Sequence, residues 1–254
     1  MRFIQAELAG VHFIELEHRN WKNYTLIEGF PGMGLVGTIS AKYLVENLKF
    51  KEVGHIESDV FVPIIRISNG IPVHPSRIYV NDELKLVALI SEQIIPKQHI
   101  AKVADAMVCW IKEKGIRKMI SLAGIQTGLK NDMNVYGIAA NQKSKQVLKA
   151  AGVKIIEEGI TTGITAMMLL KLKKENIEAV SLMGNVTFNA DYKASAEILK
   201  ALDKVLELKL NLGPLYEQAK EAEKQLVNQL KMLEETAERE DVKKVESKDT
   251  PMYV

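Results

Sequence analysis

Cysteine is almost absent from this sequence: Cys109 stands alone among 254 residues. One thiol can neither close a disulfide within the chain nor build a thiolate metal site. In its helical-looking stretch, Cys109 reads as a small buried hydrophobe rather than a nucleophile. Histidine is scarce too, with His12, His18, His55, His74 and His99 scattered along the chain. No two have the spacing of a zinc helix, so each reads as a surface or satisfied polar residue. No metal and no cofactor are expected. The net charge of +2 is too small a field to gather nucleic acid or acidic lipid. No run reaches the ~18 apolar residues of a membrane span, and "MRFIQAELAG" lacks the long apolar centre of a signal peptide. These absences point to a cytoplasmic protein with no nucleic-acid and no membrane partner.

What is present is an ordinary globular composition, 47% hydrophobic and 26% charged. Apolar runs at 11–17, 23–30, 59–68, 71–80, 84–90, 117–125, 135–141, 153–160 and 177–185 read as strands. Asn69-Gly70 between two of them marks a hairpin. Helical spacing covers 35–48, 97–115, 142–151, 162–176 and about 191–210, with Gly115 and Gly152 as stop residues and Thr161 or Thr162 as a start. Strands alternating with helices imply an α/β fold: a three-layer, mixed, mostly parallel sheet with helices on both faces. Residues 1–213 form this core domain. Pro214 suits the first turn of an extended helix over 214–240. Its apolar stripe (Leu215, Ala219, Ala222, Leu226, Leu230, Leu233, Ala237) is narrow and suits packing on one other helix. The charged residues 241–254 read as a flexible tail.

The segment "EGFPGMGLVG" (28–37) fits G-x-G-x-x-G at Gly32, Gly34 and Gly37, after a strand and before a helix. Pro31 and Met33 interrupt it, and no clear strand ends in an acid after the helix. A tight turn with close backbone packing explains it as well as a nucleotide does. Glu28 and Glu92 each end a strand, where open α/β sheets bind ligands. As a pair they could do acid–base work; capping a nearby helix N-terminus or sitting in water is the other reading. No Gly-x-Ser-x-Gly elbow and no metal motif occurs, so no catalytic residue is assigned.

"GFPGMGLVG", "LISEQIIP" (89–96) and "SLAGIQTG" (121–128), each after a strand, resemble the proteasome assembly chaperone family in its archaeal branch, over roughly residues 10–210. The resemblance implies an α/β fold and a non-enzymatic protein that binds proteasome subunits. In that setting Met252-Tyr253-Val254 matches the hydrophobic-Tyr-X ending of proteasome activators, which enters pockets between 20S α-subunits. Carried over, Met252 fills the apolar part of the pocket, Tyr253 packs its ring and hydrogen-bonds, and the Val254 carboxylate meets a lysine. About 15 residues after Arg239 reach roughly 50 Å, and several copies on a homo-oligomer would bind by avidity. The resemblance thus implies a proteasome activator or assembly chaperone. The alternative is a nucleotide- or small-molecule-binding α/β enzyme using the 28–37 loop.

Overall fold

Every residue of the strand Leu86–Ser91 is buried, and its side chains feed two cores. Val87 and Leu89 join one apolar cluster, Ala88 and Ile90 the other. A strand reads this way when both faces of its sheet are covered. The computed structural model describes residues 3–8, 10–129 and 132–221 and shows that arrangement. In chain order the strands are β1 (Phe3–Leu8), β2 (Val11–Glu15), β3 (Thr25–Gly29), β4 (Lys51–Ser58), β5 (Arg66–Ser68), β6 (Ile71–Val73), β7 (Ser76–Asn81), β8 (Leu86–Ser91), β9 (Lys118–Ile125), β10 (Val135–Ala139), β11 (Lys154–Ile155) and β12 (Glu178–Asn185). The helices are α1 (Val36–Asn47), α2 (Ile100–Glu113), α3 (Gln142–Ala150), α4 (Gly163–Lys174) and α5 (Tyr192–Leu206).

Ten strands form one sheet in the order β1-β2-β4-β7-β8-β3-β9-β12-β10-β11, and β5-β6 form a separate hairpin at Asn69-Gly70. Helices α2 and α4 cover one face, packing Met107, Trp110, Ile111 and Met168 on Phe13, Leu26 and Leu89. Helices α1, α3 and α5 cover the other, packing Leu44, Leu148, Ile198 and Leu202 on Ile27, Ile120 and Leu182. The three-layer mixed α/β architecture is the expected one. The balance of directions is less parallel than the apolar pattern implies. Ladders β8–β3, β3–β9, β9–β12 and β10–β11 are parallel, whereas β1–β2, β2–β4, β4–β7, β7–β8 and β12–β10 are antiparallel.

Much of the difference lies in β4. Its sequence KEVGHIES is too polar to read as an apolar strand. It is held by Gly54, where a Cβ would lie 2.3 Å from the Ile14 carbonyl oxygen of β2. Two expected strands also shrink. Of 59–68 only Arg66–Ser68 pairs, Pro63 having no N–H to give. Of 153–160 only Lys154–Ile155 pairs, ahead of the polar run Glu157-Glu158-Gly159. Cys109 corrects a further expectation. It is exposed, because α2 buries Val103, Ala106, Met107, Trp110 and Ile111 and leaves position 109 on the outer face.

Below α2 lies a buried ion pair. The Lys114 ammonium donates to Glu15 Oε2 at 2.6 Å with both side chains enclosed. Residues 213–221 are helical. Leu215 and Ala219, the first members of the narrow stripe, are buried on the body. The rest of the extended helix and the 241–254 tail lie outside the described residues. Among those described, no helix is long and apolar enough to cross a membrane.

Candidate functional site

The glycine loop sits where β3 turns into α1, and the protein itself packs against Gly29, Gly34 and Gly37, while Gly32 faces open space. A Cβ on Gly29 would lie 2.5 Å from the Gly37 carbonyl oxygen, and one on Gly37 would lie 2.3 Å from that of Leu122. On β9, a Cβ at Gly124 would lie 2.2 Å from the Met33 carbonyl oxygen. Gly34 adopts φ +62, a conformation suited to glycine. Its Cβ would meet Val186 at 2.7 Å, and its carbonyl accepts from Asp191 N–H at 2.8 Å. Space that a pyrophosphate would need at Gly34 and Gly37 is thus taken by backbone of β9 and by the segment before α5. The close-packing reading of the motif is the one the geometry favours.

Beside this loop, over the carboxyl end of β9, opens a cleft of about 680 Å³. Phe30, Met33, Leu122, Ile160 and Ile164 give it apolar walls, and Glu157, Glu158, Thr161, Thr162 and Thr165 supply its polar side chains. The lining contains no Lys, Arg or His that would neutralise a phosphate and no Ser or Cys nucleophile. Ile160 projects almost wholly into solvent, 97% exposed.

Glu28 lies on β3 behind this floor, fully enclosed. Its neighbour across the ladder is Ser121, whose hydroxyl bonds that of Thr165 at 2.9 Å. Phe30 N–H donates to Glu28 Oε1 at 3.1 Å, while Oε2 has no partner of good hydrogen-bond geometry. Burial pushes the Glu28 carboxyl up to about 7, against the weaker opposing pull of Ser121, the Phe30 N–H and Thr165. The raised pKa means the native state holds a proton that the unfolded chain has released above pH 4.5. Stability therefore falls as pH rises from 4.5 to 7 and levels off above, by about 3 kcal/mol in all. Glu28→Gln is expected to flatten that slope in urea titrations at pH 5, 6, 7 and 8. An unchanged slope would contradict the assignment.

The possible pairing of Glu28 with Glu92 across a crevice is not seen. Glu92 is not among the residues lining the cleft and forms an ion pair with Arg66 of β5. Neither glutamate caps a helix: the N-caps of α1 and α2 are Leu35 and His99, and neither cap residue makes a side-chain cap bond. The histidines are not all scattered. His55 and His74 stack with ring centroids 3.6 Å apart, and their Nε2 atoms lie 3.1 and 3.7 Å from Glu57 Oε1. Helical spacing rules could not reveal this cluster, because it needs the two-residue period of a strand and a loop returning beside it. Met252, Tyr253 and Val254 lie outside the described residues.

The PAC2 family model matches residues 26–230. The chain belongs to the PAC2 family. This PAC2 protein is 30% identical over 250 residues to an uncharacterised protein of Methanocaldococcus jannaschii, spanning 96% of this chain and 99% of the relative. Among solved structures it resembles Pyrococcus furiosus PbaA, an archaeal homolog of proteasome-assembly chaperone. The TM-score is 0.80 at 29% identity, covering 95% of this chain and 100% of that one. It also resembles Pyrococcus furiosus PbaB, an archaeal proteasome activator, with a TM-score of 0.76 at 26% identity over 86% and 98% of the two chains. The resemblance, read from three short motifs, thus extends along nearly the whole chain.

Proposed function

We propose that this PAC2 protein is a non-enzymatic proteasome-binding protein, acting as activator, assembly chaperone or both. The observation that carries the reading is the near full-length likeness to PbaA and PbaB. A glycine loop packed against its own sheet, and a cleft whose lining carries no Lys, Arg or His to hold a phosphate, speak against the nucleotide-using enzyme.

The docking element is Met252-Tyr253-Val254. Its Tyr253 ring and hydroxyl make an amphipathic anchor, the Val254 carboxylate is captured by a basic group in the α-ring pocket, and Pro251 lowers the ordering cost. One such tripeptide holds weakly, so the protein acts as a homo-oligomer whose copies engage the ring together. The test is peptide hydrolysis by 20S proteasome from a matched source. Stimulation is expected with the full chain and lost with Tyr253→Ala or with removal of residues 252–254. Stimulation that survives both changes would overturn the tail mechanism. Light scattering on the same samples should give a mass several times 28.4 kDa; a monomer would remove the avidity argument.

A further inference from the structure

His55 and Glu57 stand two residues apart on β4, so they share one face of the sheet. Ile56 between them enters the core under α2, which puts the pair on the opposite side. After Ser58 the chain leaves the sheet, makes the β5–β6 hairpin, and returns through His74 and Pro75 into β7. That return lays the His74 ring on His55. Three ligand atoms, two imidazole nitrogens and one carboxylate oxygen, then lie within 4.8 Å of one another. The His55–Glu57 and His74–Glu57 separations are 3.1 and 3.7 Å. Ligand atoms about 2.0–2.1 Å from a tetrahedral zinc are roughly 3.3 Å apart, between those two values.

We propose that His55, Glu57 and His74 bind a divalent transition-metal ion of the zinc type. Two imidazoles and one carboxylate are a donor set that zinc takes, with further positions left to water. His55 is the anchored ligand, buried between its neighbours in the sheet. His74 is the adjustable one. Its side chain is 41% exposed and sits on a two-residue link, so its ring turns out of the near-parallel stack to aim Nε2 at the ion. Glu57, 43% exposed, brings the negative charge and lies directly across the ladder from His12. Arg77, opposite His55 on β7, faces Glu52 at 3.8 Å, which offsets its charge.

The ion would fasten the base of the excursion between β4 and β7. That excursion carries Ile65, Ile67 and Ile71, each more than 60% exposed. Tying its two ends together restricts the loop that presents this apolar surface.

The full chain, made without a polyhistidine tag and stripped with chelator, is titrated with Zn²⁺ by calorimetry and with Co²⁺ by visible absorption. One ion per chain is expected, with a d–d band of low coordination number for cobalt. His74→Ala, at a half-exposed position that leaves the core intact, should weaken binding by at least ~100-fold, and Glu57→Gln by ~10-fold or more. Zinc should also slow proteolysis of residues 59–73 in the native chain but not in His74→Ala. Absence of saturable binding, or zinc affinity unchanged in His74→Ala, would show that the three side chains only hydrogen-bond and would overturn the proposal.

Discussion

Replacing Lys114 with Ala is expected to lower stability by about 3–5 kcal/mol, the cost of breaking a buried ion pair from one side. Lys114 is 1% exposed and Glu15 is fully enclosed. The ammonium donates to Glu15 Oε2 at 2.6 Å and to the Arg19 carbonyl oxygen at 3.0 Å, and lies 5.0 Å from the Trp21 ring centroid. Trp110 Nε1–H donates to the other carboxylate oxygen at 3.0 Å. Removing the lysine leaves a carboxylate in an apolar layer with much of its compensation gone. Changing both partners, Glu15→Gln with Lys114→Met, removes charge and counter-charge together. It should recover much of the loss. Urea unfolding of Glu15→Gln, Lys114→Met and the double variant measures the coupling. A Lys114→Ala loss under about 1 kcal/mol would mean that water reaches the pair.

Gly37→Val should be the more damaging change, costing more than ~3 kcal/mol or abolishing soluble protein. The added Cβ would meet the Leu122 carbonyl oxygen at 2.3 Å and that of Phe30 at 2.8 Å. Both are backbone atoms, Leu122 within the central strand β9 and Phe30 directly after β3, so no rotamer relieves the clash. Gly32→Ala is the matched control. Nothing lies within 4 Å of a Cβ there, and its φ of −154° suits any residue. Its effect should stay within about 0.5 kcal/mol. Thermal unfolding of both variants separates two meanings of one motif. A packing turn is sensitive at Gly37 and indifferent at Gly32, whereas a phosphate cradle would use the backbone of both.

The parts of the fold legible in the sequence are those with a clean period. Strands β3, β8, β9 and β12 are largely apolar segments with a central stretch buried on both faces. Helices α2 and α5 carry a distinct apolar stripe. The strand β4 was illegible because its buried run, Val53 to Ile56, holds a glycine and a histidine between charged ends, and that glycine serves a neighbour distant in sequence. The exposure of Cys109 depends on helix rotation, which a short window around it does not fix. At the candidate sites, the glycine loop was visible as a motif but ambiguous in meaning. Distances to Leu122, Met33 and Val186 were needed to choose packing. The His55–Glu57–His74 cluster was hidden because His74 arrives by a loop whose return path no local pattern encodes.

The sheet is made of two kinds of neighbours, and this has a consequence for how the chain assembles. On the antiparallel side, β1 with β2 and β7 with β8 are neighbours in sequence, so their pairing closes short loops. At the centre, Thr25 of β3 waits for Lys118 of β9, and Lys118 pairs in turn with Glu178 of β12. Pairings so remote in sequence bear the loop-closure entropy before any packing rewards them. The hairpins are therefore expected to form early and the parallel centre late. The rate-limiting step should be the docking of β9 against β3, and variants at Ile120 should slow refolding more than variants in the β7–β8 turn.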